Sequence, residues 1–133
     1  MLTGFATSKG TARFADRFPA EKAAGFYRDA QGLWVSNIGI GTYLGEMDDS
    51  TDRRYRDAVL AVLGRGGNFI DTSLNYRHQR SERSIGEALI AAVDSGKVTR
   101  DEIVISTKAG FFWSQARSRP ASPQATSPVV CTR

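Results

Sequence analysis

The sequence predicts an α/β protein built on a parallel sheet, and three observations lead there. β-favouring and amphipathic stretches alternate as strand, helix, strand, helix, strand, at the spacing of βαβ units. Each helical stretch carries a single apolar stripe and ends in glycine. The third strand, Glu102 to Thr107 with Ile103-Val104-Ile105 at its centre, is nearly continuous in apolar residues, as strands covered on both faces are.

Composition divides the 133 residues into three parts, 1–32, 33–112 and 113–133. The first places Phe14 and Phe18 one helical turn apart and then meets Pro19, which predicts an N-terminal arm with one short helix. In the second, Val35 to Ile40 is the first strand, closed by the glycines of Gly39-Ile40-Gly41-Thr42-Tyr43-Leu44-Gly45. Asp49, Ser50 and Thr51 can cap the helix that follows. There Tyr55, Ala58, Val59, Val62 and Leu63 recur at helical spacing, and Gly64, Gly66 and Gly67 end the run. Asn68 to Thr72 is the second strand. Ser81 can cap a second helix with the stripe Ile85, Ala88, Leu89, Ala92 and Val93, ended by Gly96. The third part holds Pro120, Pro123 and Pro128 among serines and arginines, without any period of 2 or 3.6. Such a segment cannot bury enough apolar surface to offset its ordering entropy, so an irregular, disordered tail is expected.

Composition excludes several functions. No apolar run approaches the roughly 18 residues of a membrane span, and no secretory h-region lies near the start. A single cysteine, Cys131, and a single histidine, His78, supply neither a disulfide nor a zinc ligand set. A cytoplasmic setting follows as the expectation. The net charge of +4 comes largely from the tail, where Arg117, Arg119 and Arg133 face no acid. Without it fifteen bases stand against fourteen acids, so nucleic acid is not an expected partner. Gly-x-Ser-x-Gly and P-loop lysine motifs are both missing, which leaves hydrolase and nucleotide-triphosphatase readings unsupported.

Chemistry in parallel α/β folds gathers at the carboxyl ends of strands. The first strand ends in Gly41-Thr42-Tyr43, the second in Asp71 with Tyr76 five residues on, and the third in Lys108. An acid, a phenol and an amine thus project from one rim. A phenol with a pKa near 10 is a weak proton donor at neutral pH. An ammonium beside it stabilises the phenolate, and a carboxylate keeps that ammonium charged and oriented. Such a set would make a tuned general acid, able to protonate a carbonyl oxygen as hydride arrives from a nicotinamide ring. Each residue alone has a plainer reading: Asp71 as a strand-end turn residue, Tyr76 as packing, Lys108 as a solvated charge. The glycine string lacks the spacing of a dinucleotide fingerprint, so a Rossmann fold is the runner-up. Asp48-Asp49 and Asp52-Arg53-Arg54 read as solvated helix-entry charge. His78 lies in the polar loop Tyr76-Arg77-His78-Gln79-Arg80, solvated or, with Arg77 and Arg80, flanking a substrate anion.

Four blocks in this order resemble the N-terminal third of an aldo/keto reductase. They are Gly39-Ile40-Gly41-Thr42 through Gly45; Asn68-Phe69-Ile70-Asp71-Thr72-Ser73-x-x-Tyr76; Ser81-Glu82-x-x-Ile85-Gly86-x-Ala88-Leu89; and Ile105-Ser106-Thr107-Lys108. The resemblance covers about Leu33 to Gly110. It implies a partial (β/α)8 barrel of about three βα units and NADP-dependent reduction of small-molecule aldehydes or ketones. It further implies Tyr76 as proton donor, Lys108 and Asp71 as its tuning pair, and Gly41, Thr42, Tyr43 and Asp71 beside the nicotinamide half of NADP. The family's later histidine and its adenosine-phosphate site have no counterpart in the sequence, which leaves the choice between NADP and NAD open. A whole barrel takes about 250 residues. The loss of pattern after Gly110 or Phe112 is what a frameshift or premature stop produces, and the chain alone is expected to be inactive. The alternative is a non-catalytic interaction module that self-associates through exposed strand edges.

Overall fold

The computed structural model describes residues 2–109. Its elements are α1 (Ser8–Asp16), α2 (Pro19–Ala23), β1 (Tyr27–Ala30), β2 (Leu33–Ser36), β3 (Ile40–Gly41), α3 (Asp49–Gly64), β4 (Phe69–Asp71), α4 (Arg80–Asp94), a 3-10 turn (Arg100–Glu102) and β5 (Val104–Ser106). The expected α/β alternation is present, and β3, β4 and β5 form a parallel sheet in chain order. The tail at 113–133 lies outside the described residues.

Side-chain alternation along the strands decides which residues meet the core. Ile40, Ile70 and Ile105 are register partners across the three strands, and all three pack into the apolar cluster. That cluster includes Val59 and Leu63 of α3 and Ile85, Ala88, Leu89 and Ala92 of α4, so the α4 stripe is buried nearly throughout, while in the α3 stripe Tyr55, Ala58 and Val62 are only half-buried. The next row, Gly41, Asp71 and Ser106, therefore points away from the core. Both long helices close with the paired hydrogen bonds of a Schellman motif. Gly67 N–H reaches Val62 O (3.0 Å) past Gly66 at φ +88°, and Lys97 N–H reaches Ala92 O (3.1 Å) past Gly96.

The first 32 residues depart from the single-helix arm. Pro19 opens α2 rather than only stopping a helix, because the missing proline N–H is no loss at a first helical position. Tyr27–Ala30 pairs antiparallel with Leu33–Ser36 around Gln31 and Gly32, whose φ angles of 55° and 81° make the tight turn that matches strand twist. The first predicted strand is thus divided between a hairpin and the short β3, and the boundary expected after Gly32 falls in a hairpin turn. The unit packs as core: Phe14 and Ala15 have no exposed surface. α1 lies so close to the 3-10 turn that a Cβ on Gly10 would meet Asp101 O at 2.2 Å.

Two buried polar groups fasten this unit to the amino ends of β4 and β5. The Asn68 side chain accepts from Ser36 N–H (2.9 Å) and donates to Trp34 O (2.9 Å) and Glu102 O (3.2 Å). The Glu102 carboxylate, 2 % exposed, accepts from Arg13 (2.9 Å), Arg17 (2.7 Å) and Thr99 N–H (2.9 Å). Tyr27 adds a hydrogen bond to Gly66 O (2.7 Å), and burial first, then the charge of Glu21, pushes its phenol up to about 12. The helix caps also differ from expectation. Asp48, not Asp49, Ser50 or Thr51, caps α3 through Thr51 N–H (2.7 Å), and Ser81 sits inside α4 with its hydroxyl on Thr42 O (2.7 Å).

Two outcomes follow. Asn68→Ala leaves three backbone groups short of a partner and lowers unfolding stability by about 3 kcal/mol in urea titrations. Asn68→Asp, nearly isosteric but without donors, costs at least as much at neutral pH, and a loss below about 1 kcal/mol for both variants would contradict the bridge. Hydrogen bonds from Thr51 and Ser50 lower the Asp48 pKa from 3.8 to about 2. Its contribution is therefore present above pH 3.8 and is lost as pH falls toward about 2. In Asp48→Asn, which still accepts at the cap but takes up no proton, Tm falls less steeply across that window.

Candidate active site

The site lies at the carboxyl ends of the parallel strands, opposite the hairpin. Beyond β4 the ladder continues without regular strand: Thr72 N–H donates to Ser106 O (2.8 Å) and Leu74 N–H to Lys108 O (3.1 Å). Ser73 adds its hydroxyl to Lys108 O (2.8 Å). The chain after β4 is thereby held along the chain after β5, with Asp71 at the start of the paired stretch and Lys108 at its end.

Lys108 Nζ spans both carboxylate oxygens of Asp71, at 2.7 and 2.8 Å. The hydrogen bond to Asp71 raises the lysine pKa above 10.5, against a smaller loss from burial, and the Tyr76 hydroxyl contributes in the same direction. Nζ also lies 5.3 Å from the Tyr76 ring centroid. The Tyr43 ring meets Tyr76 edge-on, with centroids 5.0 Å apart at 66°. Asp71, Tyr76 and Lys108, named from sequence, are thus brought together with Tyr43. The ion pair stands about half exposed (48 % and 38 %), so water screens its effect on stability while its effect on position is retained.

The other named positions divide. Gly41 is exposed, and among the described residues a Cβ there would meet nothing within 4 Å, which leaves that side of Asp71 across the ladder open to them. Tyr43 is 65 % exposed. Thr42 is wholly buried; its hydroxyl bonds Asp71 O (3.2 Å) and Thr72 Oγ1 (2.9 Å), and its carbonyl takes the Ser81 hydroxyl. It braces the rim from beneath. Glu82 reaches Thr107 Oγ1 (2.7 Å) and ties the start of α4 to the end of β5. Room beside Gly41, an exposed aromatic ring and an acid–amine pair fit the flat, amide-bearing nicotinamide half of a dinucleotide. They do not fit its phosphates.

The arginines of the Tyr76 loop face elsewhere. Arg77 is buried against Glu46 O, Asp48 O and Asp52, and Arg80 pairs with Asp49 and Asp52. With Arg77 committed to Asp52 and the carbonyls of Glu46 and Asp48, and Arg80 to Asp49 and Asp52, the substrate-anion reading of this cluster is set aside, and His78 is exposed. Asp48 and Asp52 are accordingly more than solvated helix-entry charge. Sequence reasoning missed Asn68, Glu102 and Arg77. The spacing Thr99-x-x-Glu102 is a capping-box signal that marks Glu102, and Gln31-Gly32 marks the hairpin. No comparable signal marks Arg77. Among the described residues no helix is long and apolar enough to cross a membrane, and no His, Cys, Asp and Glu cluster could hold a metal ion.

A carboxylate, an amine and a phenol thus converge at the strand ends of a parallel α/β sheet. The aldo/keto reductase family model matches residues 37–127, beginning four residues after Leu33 and running past Gly110. The chain belongs to the aldo/keto reductase family. It is 32% identical over 108 residues to an aryl-alcohol dehydrogenase [NADP(+)] of Phanerodontia chrysosporium, covering 74% of this chain and 26% of that protein. It is 41% identical over 82 residues to the aldo-keto reductase ausK of Emericella nidulans, covering 59% and 19%. An NADH-specific methylglyoxal reductase of Escherichia coli is 31% identical over 91 residues, covering 65% and 26%. The chain thus spans between a fifth and about a quarter of the length of these relatives.

The Asp71–Lys108 pair carries its own test. A raised lysine pKa means that the pair's contribution is present below pH 10.5 and is lost as pH rises through the raised value. Titration of Lys108 by side-chain NMR in Asp71→Asn moves the midpoint back toward the ordinary lysine value. An unmoved midpoint would contradict the pairing.

Proposed function

We propose that β3, β4 and β5 with α3 and α4 are the first three strands and two helices of a (β/α)8 barrel, and that the rim forms part of a carbonyl-reducing site. The observation that carries this is the Lys108 ammonium gripped by Asp71 and set against Tyr76. Tyr76 gives its phenolic proton to the oxygen of a small aldehyde or ketone. Lys108, kept charged by Asp71, steadies the phenolate that remains. Reduced nicotinamide supplies the hydride when bound. Gly41, Tyr43 and Asp71 would lie against its nicotinamide half, with Thr42 holding that stretch in place. NADP is the proposed cofactor, as it is for the similar aryl-alcohol dehydrogenase [NADP(+)] of Phanerodontia chrysosporium. The described residues offer nothing committed to the phosphates, so the 133-residue chain alone is proposed to turn over no substrate.

Two measurements test this. NADPH fluorescence titration of the chain gives no micromolar binding and no carbonyl-dependent oxidation; a positive result in both would overturn the proposed inactivity. A chimaera carrying residues 33–112 in place of the matching segment of a related reductase is active, and Tyr76→Phe lowers its kcat by roughly 10²- to 10⁴-fold, the span of general-acid catalysis. A Tyr76→Phe chimaera with unchanged kcat would remove the phenol from the mechanism.

A second reading has one observation in its favour. Among the described residues the outer edges of β3 and β5 pair with no strand. An open edge is a template for another chain. Concentration-dependent sedimentation of the chain would support an edge-pairing module, and a monomer throughout would oppose it.

A further inference from the structure

The turn that follows Tyr76 is strained and clamped. Arg77, His78 and Gln79 lie in succession at φ 49°, 53° and 69°, a left-handed conformation that non-glycine residues seldom adopt. Such backbone persists where surrounding contacts over-determine it, and it gathers at functional sites. Arg77, whose side chain is 2 % exposed, supplies buried contacts of this kind. Its Nε donates to Glu46 O (2.8 Å), and its Nη2 to Asp48 O (3.3 Å) and Asp52 Oδ1 (2.6 Å). The guanidinium lies 5.2 Å from the Tyr55 ring centroid, and the Tyr55 hydroxyl donates to Leu44 O. Every acceptor but Asp52 is a carbonyl of the loop that begins with Tyr43. Arg80 already joins α4 to Asp52 through its own fork, at 2.9 and 2.6 Å. A link between helices therefore does not require Arg77. What Arg77 adds is the loop. Its Nη1 is buried and, among the described residues, has no hydrogen-bond partner.

We propose that Arg77 is a positioning residue for Tyr76, clamping the left-handed turn behind the phenol onto the Tyr43-to-Asp48 loop and so fixing the two tyrosine rings edge to face beside Lys108. The consequence for catalysis rests on Tyr76 being the proton donor; the geometry does not.

The test is NMR of the isotopically labelled 133-residue chain, with Tm measured alongside. The unaltered chain gives ring-to-ring NOEs between Tyr43 and Tyr76, and a ring-current shift on the Lys108 methylene next to Nζ. In Arg77→Met both signals are lost while the methyl shifts of Ile70, Ile85 and Leu89 remain dispersed. Arg77→Lys, which cannot span three acceptors, loses them in part. If Arg77→Met does not fold, Asp52→Asn, which frees one end of the clamp, is required to weaken the same two signals. Variants that lower Tm but keep the ring NOEs and the Lys108 shift would overturn the proposal and leave Arg77 a structural residue. Failure of the Tyr76 reading would appear separately, as unchanged turnover of the Tyr76→Phe chimaera.

Discussion

Asn68, directly before β4, has no exposed surface, and its amide closes hydrogen bonds to the backbone of β2 at Ser36 and Trp34 and to Glu102, the last residue of the 3-10 turn that leads into β5. Its own backbone completes the junction, since Asn68 N–H donates to the Ser36 hydroxyl oxygen (3.1 Å) and Asn68 O accepts from Val104 N–H (2.9 Å). A buried amide with every bond made is compatible with one alignment of its neighbours and is costly in others. The register of β4 on β5 is therefore set at the amino end. A slip of one residue would send the Ile40, Ile70 and Ile105 row out of the core.

From that register the chemistry of the opposite end follows. With isoleucines turned inward, Gly41, Asp71 and Ser106 must turn the other way, and the paired stretch beyond them brings Lys108 level with the Asp71 carboxylate. The buried hydroxyls of Thr42, Thr72 and Ser81 bind the end of β3, the end of β4 and the start of α4 into one rim. Tyr76 and Tyr43 then meet across that rim. Scaffold and site divide the sheet by face and by end: the amino end holds the hairpin and α1, and the carboxyl end holds the polar groups.

The repeating parts of this arrangement were legible in the sequence. The stripes of α3 and α4, their glycine ends and the isoleucine-centred strands follow from period and from the conformational freedom of glycine. Asp71, Tyr76 and Lys108 could be named because strand ends are where chemistry collects, and the family resemblance joined them. The first 36 residues were harder to read. β1 and β2 are four residues each, and Arg28 and Asp29 in β1 are exposed, so no clear alternation appears. Phe14 and Phe18 suggested one helix, but nothing local announces that Phe14 inserts into a core supplied by residues 59–103. Asp48, Glu102 and Arg77 share a cause. Each is a charged residue whose role is set by partners, and only short-range capping patterns survive in linear sequence.

The central claim is that the Asn68 junction and the Asp71–Lys108 rim belong to one cooperative unit. Native-state amide hydrogen exchange of Asn68→Ala tests it most directly, read at Val104 next to the junction and at Thr72 and Leu74 on the rim. The account predicts that all three amides lose protection together and by similar factors. Loss at Val104 alone, with Thr72 and Leu74 protected as before, would mean that the rim holds its register without the anchor and would contradict it.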